Sequence, residues 1–287
     1  MSQPRKPRRE NDSRKQDDAQ RRQGKRPRPK PNATPDDLAF GINACDAAID
    51  AGVARSLLYL EGTRNERVVE VATKASAAGI ATEAVPQERL DELTGGGVHQ
   101  GVLVRLRALP EADLRRIAED ADGPSLVLLL DGVTDPQNLG AVLRTAVAVG
   151  VAGVVLPRRR GATLTPGVHR ASAGLSFAAP VTAPRNLAQA VDLLQSGGFW
   201  VVAADQAEDS HDATTFDWPE KTALVLGGEA EGVSHLLSQK SDFHVTLPMD
   251  PRVESLNVGV AAGALCYLWR RQWPAGNETP GNAAGNV

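Results

Sequence analysis

Short apolar runs recur along this chain from residue 126 to residue 247. Leu126–Leu130, Gly153–Leu156, Phe199–Ala204, Thr222–Leu226 and Phe243–Leu247 are each four to six residues with almost no polar interruption. Runs of that length, bounded by Gly, Pro or charged residues, predict strands buried on both faces. Between and after them, apolar residues recur at helical spacing over Asn138–Val149, Leu187–Ser196 and Ser255–Arg270. Strands alternating with helices predict a parallel sheet covered on both sides, hence an α/β fold. The last helix is apolar nearly all round, which predicts burial on more than one side.

Upstream, residues 37–107 alternate in the same manner. FGINACDAAIDAG, SLLYLEG, RVVEVATKASAAG, a short acidic helix and VHQGVLVRL read as a compact α/β unit of roughly 70 residues with its own core. Residues 108–124, with LPEADLRRIAEDADG, read as a linker helix bearing a solvated charged face. The chain is longer than the usual single domain, which agrees with two folded units, 37–107 and 125–273.

Charge redraws the two ends. The overall balance is −3, from 32 Lys and Arg against 35 Asp and Glu, but residues 1–31 hold 12 of the cations and only 4 of the anions. This stretch has no aromatic or β-branched residue, so it lacks the apolar surface that would offset the entropy of ordering. Residues 1–36 are therefore expected to be a disordered basic arm. Such an arm either binds phosphate backbones by counterion release or merely solubilises the chain. A Gly-, Asn- and Ala-rich tail over residues 274–287 is expected to carry no chemistry.

No apolar run approaches the roughly 20 residues of a membrane span, and the N-terminus has no apolar signal segment, so a cytoplasmic protein with no membrane partner is expected. Cys45 and Cys266 form no CxxC pair, and the five histidines have no metal-ligand spacing. Neither a disulfide nor a metal is expected.

Candidate chemistry lies where three strands end. Leu126–Leu130 is followed by DGVTDPQNLGAVLRTAVAVG, Thr222–Leu226 by GGEAEG, and Phe243–Leu247 by PMDPRVESLN. Open α/β sheets bind ligands beyond the carboxyl ends of their strands. Asn138 is either a functional amide or a helix cap, and Arg144 either a functional cation or a solvated surface residue.

Taken together, these segments resemble the SpoU (TrmH-like) family of ribose 2′-O-methyltransferases, which use S-adenosylmethionine. The first motif falls on Asn138, Gly140, Arg144, Ala146 and Gly150. The second, G-x-E-x-x-G, falls on Gly227, Glu229 and Gly232. The third falls on Pro248, Met249, Ser255, Leu256, Asn257, Val258, Val260 and Ala261. The match spans roughly residues 125 to 272. It departs from the family at Pro251, where Gly is usual, and at Gly259, where Ser is usual.

The resemblance implies a SPOUT-type methyltransferase domain with a C-terminal trefoil knot and a homodimer with sites beside its interface. It also implies RNA as substrate. It assigns the catalytic machinery to Arg144, Asn138, Glu229, Ser255 and Asn257. Gly227, Leu247, Met249 and Leu256 are expected to hold the cofactor. FGINAC and GVHQGV resemble the L30e-like substrate-binding domain that precedes the catalytic domain in many members, although Asn43 stands where His is common.

His99 and Gln100 either read RNA or close a Gly-rich turn. Arg158, Arg159, Arg160 and Arg170, around a Gly/Thr-rich loop, are either a phosphate track or a solvated charge run. The ASAG stretch that follows resembles the family's ribosomal RNA guanosine methyltransferases and tilts the target towards a guanosine of 23S rRNA. A tRNA target and a non-catalytic RNA-binding protein of the same fold are the alternatives.

Overall fold

The computed structural model describes residues 36–274 apart from 159, 160, 162, 229 and 230. The basic arm to residue 35, the tail from residue 275, Arg159, Arg160 and Glu229 therefore lie outside the described residues.

Two sheets form. The first is a four-stranded mixed sheet of order β1-β4-β2-β3, made of β1 (Leu38–Phe40), β2 (Ala54–Leu60), β3 (Ala81–Val85) and β4 (Val102–Leu106). Helices α1 (Ile42–Asp50), α2 (Glu66–Ala77) and α3 (Gln87–Thr94) accompany it. Its apolar residues fill two clusters of their own, one around Leu57 and Val104 and one around Phe40 and Leu90.

The second sheet has seven strands in the order β7-β6-β5-β10-β8-β11-β9, every pair parallel. Its strands are β5 (Ser125–Asp131), β6 (Gly153–Val155), β7 (Val181–Thr182), β8 (Trp200–Ala204), β9 (His211–Asp212), β10 (Lys221–Gly227) and β11 (Phe243–Thr246). The expected parallel α/β fold is thus present. Leu126, Val127, Leu128, Leu129 and Leu130 are all buried, with alternate side chains serving different clusters on the two faces. The helices are α4 (Leu114–Asp120), α5 (Pro136–Val149), α6 (Pro166–Ala171), α7 (Leu187–Ser196), α8 (His235–Lys240) and α9 (Val258–Gln272).

The segment expected to be a spacer does more than span a gap. In α4 the charged face is solvated, with Arg115–Glu119 and Arg116–Asp120 pairs one turn apart, but Leu114 and Ala118 are buried in the cluster beneath α7. A Cβ on Gly197 would overlap the Ala118 carbonyl, so the α4–α7 approach needs glycine there.

A second bridge runs through α6 and the 3-10 turn Leu175–Phe177. On one side, a Cβ on Gly140 of α5 would overlap the Ala171 methyl. On the other, Gly174, at φ +88°, sits so close to Asn43 and Ala47 of α1 that no side chain fits. Phe177 packs into the first sheet's cluster, and the buried His169 ring stacks on it at 4.3 Å while its Nδ1 pairs with the Ser176 hydroxyl at 2.8 Å. Burial pushes the His169 imidazole down to about 4.

Cys45 and Cys266 are both free and buried, in different clusters. Burial pushes the Cys266 thiol up to about 12 and the Cys45 thiol higher still. No helix among the described residues is long and apolar enough to cross a membrane.

Candidate active site

The site is built at the carboxyl edge of the seven-stranded sheet. After β5, Asp131 and Gly132 turn the chain, and Asp135 caps α5 by accepting from the amides of Gln137 and Asn138, with Pro136 in the first turn. A proline there has no amide to leave unsatisfied. The helix thus starts two residues before the expected Asn138, and the capping alternative for Asn138 is displaced by Asp135. The Asn138 side-chain Oδ1 accepts from Asn257 Nδ2 at 2.8 Å, a bond spanning 119 residues that ties the first motif to the third.

Asn257 has two duties. Its Oδ1 caps α9, accepting from the amides of Gly259 at 2.9 Å and Val260 at 3.4 Å, while its Nδ2 makes the bond to Asn138. The last helix therefore begins at Val258 rather than Ser255, and Ser255 is no cap.

Gly259, where the family usually has Ser, faces α5. A Cβ on it would lie 3.0 Å from the Ala141 methyl, so the departure goes with close contact between the two helices. At their far ends Arg270 donates to the Val149 and Gly150 carbonyls, closing the carboxyl end of α5. Arg144 projects from an exposed position of α5.

The loop after β10 is governed by glycine. A Cβ on Gly227 would overlap the backbone of Gly232 and Val233, and one on Gly228 would overlap the Gly132 carbonyl. Gly232 donates back to the Gly228 carbonyl, while Gly228 N and Ser234 N donate to the backbone and side chain of Asp131. The ends of β5 and β10, neighbours in the sheet, are thereby knitted together.

Beside this glycine loop lies a cavity of about 390 Å³ at the carboxyl ends of β10, β8 and β11, walled by apolar side chains that include Leu226, Val245, Leu247 and Leu256. All four residues expected to hold the cofactor, Gly227, Leu247, Met249 and Leu256, line it, and so does Ser255. Arg144, Asn138 and Asn257 do not: Asn138 and Asn257 join α5 to α9, Arg144 is exposed on α5, and Val258, Ala261 and Leu265 of α9 are presented to the cavity. Glu229 lies outside the described residues, so its pairing with Arg144 has no geometry here.

One wall was not read from the sequence. β8 lies between β10 and β11, and its end brings Asp205 and Gln206 to the cavity. Asp205 is held on several sides: His244 Nδ1 approaches both carboxylate oxygens at 2.9 and 3.0 Å, and the Ser238 hydroxyl donates at 3.1 Å. Gln206 Nε2 donates to the Glu254 carbonyl at 2.8 Å, pinning the third motif's loop. A polar pair directly after the apolar run FWVVAA was the available signal.

The SpoU rRNA Methylase family matches residues 125–267, and the family of RNA 2′-O ribose methyltransferase substrate-binding domains matches residues 38–112. The 23S rRNA (guanosine-2′-O-)-methyltransferase RlmB of Xanthomonas axonopodis pv. citri is 40% identical over 238 residues, which are 81% of this chain and 95% of that protein. The chain belongs to the SpoU family.

A Staphylococcus aureus protein assigned to the TrmH family of tRNA/rRNA methyltransferases is 37% identical over 246 residues, 84% of this chain and 98% of its own. Among solved structures, the SpoU methyltransferase AviRb of Streptomyces viridochromogenes in complex with AdoMet superposes with a TM-score of 0.70 at 26% identity, covering 83% of this chain and 91% of that one. An AdoMet-bound rRNA methyltransferase from Sinorhizobium meliloti gives 0.67 at 27%, covering 82% and 86%. This SpoU protein is accordingly an RNA 2′-O-ribose methyltransferase.

On the first sheet the expected RNA readers divide. The His99 ring is 6% exposed: its Nδ1 accepts from Gly101 N at 3.0 Å and its Nε2 lies 3.1 Å from Asp91 Oδ1. These contacts spend both ring nitrogens within the fold. Gln100, at φ +54°, turns its Oε1 onto the Ile42 amide at 2.9 Å and so satisfies the start of α1. Its amide oxygen serves the fold, which favours the turn-closing alternative for both residues. Arg170 is exposed and lies over the Phe40 ring, and Arg158 is exposed with a 3.6 Å contact to Glu111. Arg159 and Arg160 are outside the described residues.

Proposed function

We propose that this SpoU protein methylates a guanosine ribose of 23S rRNA with S-adenosylmethionine as donor. The observation that carries the reading is the cavity at the ends of β10, β8 and β11. It has the size of a small-ligand site, apolar walls for a nucleoside, and at its edge Gly227, whose missing side chain lets the Gly232–Val233 backbone pack against the end of β10. The 23S rRNA guanosine target rests on the Xanthomonas relative. The Staphylococcus relative, named for tRNA and rRNA alike, makes tRNA the second reading.

The donor supplies a methyl group on a cationic sulfur. The protein's own work is positioning and charge stabilisation. The Arg144 guanidinium stabilises negative charge on the ribose oxygen and does not act as the base. An RNA phosphate or ordered water takes the hydroxyl proton. Asn138 and Asn257 hold α5, which bears Arg144, against the helix that walls the cavity. Ser255 and Glu229 complete the set, with Glu229 orienting Arg144. Arg158, Arg159, Arg160 and Arg170 lead the RNA backbone to the site, and residues 1–36 add affinity by counterion release. No metal takes part.

The finer architecture belongs to the same proposal. It comprises a trefoil knot formed by the third motif, an L30e-like first domain over residues 37–107, a catalytic domain over residues 125–273, and a cytoplasmic homodimer. Incubating the purified chain with methyl-labelled donor and either 23S rRNA or tRNA tests the target. The expected result is label in 23S rRNA, released as 2′-O-methylguanosine. Label confined to tRNA would overturn the rRNA assignment.

A further inference from the structure

The cavity wall has a lopsided charge. Asp205, Glu231 and Glu254 line it, and no Lys, Arg or His is among its described lining residues. Asp205 is the most constrained of the three: its side chain is 18% exposed and tied to His244 and to the Ser238 hydroxyl. Its amide also donates to Val245 O at 3.2 Å, so the carboxylate is fixed on the rigid edge of β8 and β11 rather than on a free loop. Glu231 and Glu254 are exposed, on the loops after β10 and β11.

We infer that this carboxylate wall makes the cavity choose the methylated donor over its demethylated product by charge, with Asp205 as the fixed specificity-determining residue and Glu231 and Glu254 as rim contributors. The inference rests on the reading that the cavity holds the donor. Methyl transfer breaks the sulfur–carbon bond and leaves the electron pair on sulfur, so the cationic sulfonium becomes a neutral thioether. Donor and product have nearly the same shape but differ by one positive charge. Apolar walls and backbone contacts act on both alike, whereas fixed carboxylates attract only the donor's extra charge. Selection of this kind limits occupation of the site by spent product, and it weakens with salt wherever the charges are exposed.

Titration calorimetry of the full chain with S-adenosylmethionine and, separately, S-adenosylhomocysteine tests it through the ratio of the two dissociation constants. The wild-type chain is expected to favour the donor. Replacing one exposed carboxylate, E231Q or E254Q, should weaken the donor by roughly two- to fivefold and leave the product within twofold. D205N together with both should abolish the preference. D205N also touches the β8–β11 edge, so the E231Q/E254Q double variant, which alters only exposed side chains, gives the decisive ratio if the triple variant fails to fold. Equal weakening of both ligands, or an unchanged ratio in the double variant, would overturn charge selection while leaving the cavity assignment standing. Failure of the wild-type chain to bind either ligand would remove the cavity assignment and this inference with it.

Discussion

Single residues in this protein work by doing two things at once, and Asn257 shows how the two can be separated. Its Oδ1 caps α9, and its Nδ2 reaches Asn138 on α5. Asn257→Ala removes both and should lower stability by about 1 kcal/mol, the usual worth of such a cap. Asn257→Asp keeps the acceptor at the cap but loses the donor to Asn138. Denaturant unfolding should therefore find the Asp variant close to the wild type and the Ala variant below it, while both lose methyl transfer. An Asp variant with full activity would show that the bond to Asn138 is not needed for alignment. Which residue caps α5 was legible only in part: in DPQN both Asp135 and Asn138 are capping types, and the proline between them marks the first turn and so favours Asp135.

At the level of elements, the doubly buried strands declared themselves because their apolar runs are continuous. The two-residue strands β7 and β9, which extend the sheet at its edges, have too few residues to leave any pattern. The α6 bridge was equally hidden, since TPGVHRA reads as loop chemistry and its fit depends on Gly140 and Gly174, which are far away in the chain or just beyond the helix. His169 sits in that bridge as a neutral, buried ring, with its protonation depressed from 6.5 to about 4.

The unfolded chain thus binds a proton at His169 that the folded chain refuses between those two pH values, so stability falls as pH drops from 6.5 towards 4. At roughly 1.4 kcal/mol per unit the full effect is about 3 kcal/mol. Melting temperature followed across that window should fall more steeply in the wild type than in His169→Gln. Parallel slopes would mean that His169 is not the group responsible.

For the whole molecule, the last helix, expected to be buried on more than one side, is buried along one face. The α9 helix gives Val258, Ala262, Leu265, Cys266 and Trp269 to the core, but Val260, Ala264 and Tyr267 form an open stripe, with Val260 58% and Tyr267 56% exposed. Apolar periodicity tells which residues prefer burial but cannot tell which are covered within one chain. Exposed Leu256, which also lines the cavity, brings apolar surface near the site to the exterior. A contiguous apolar surface of this kind is the mark of an interface, and a second copy of the chain is the proposed cover. Sedimentation should give the mass of two chains for the wild type and of one for Tyr267→Asp; a wild type that runs as a single chain at micromolar concentration would contradict the dimer.

The cavity itself was readable at Gly227, Leu247, Met249 and Leu256, because their motifs hold a fixed order. Its third wall at Asp205 was not, because only strand order places β8 between β10 and β11. The division of labour that follows, with the donor in the cavity and Arg144 outside it at the acceptor oxygen, is the centre of this account. Arg144→Ala measures it most directly: the dissociation constant for S-adenosylmethionine should stay within a few fold of the wild type while turnover on RNA is lost. A loss of donor affinity as large as the loss of turnover, or turnover that survives the substitution, would contradict it.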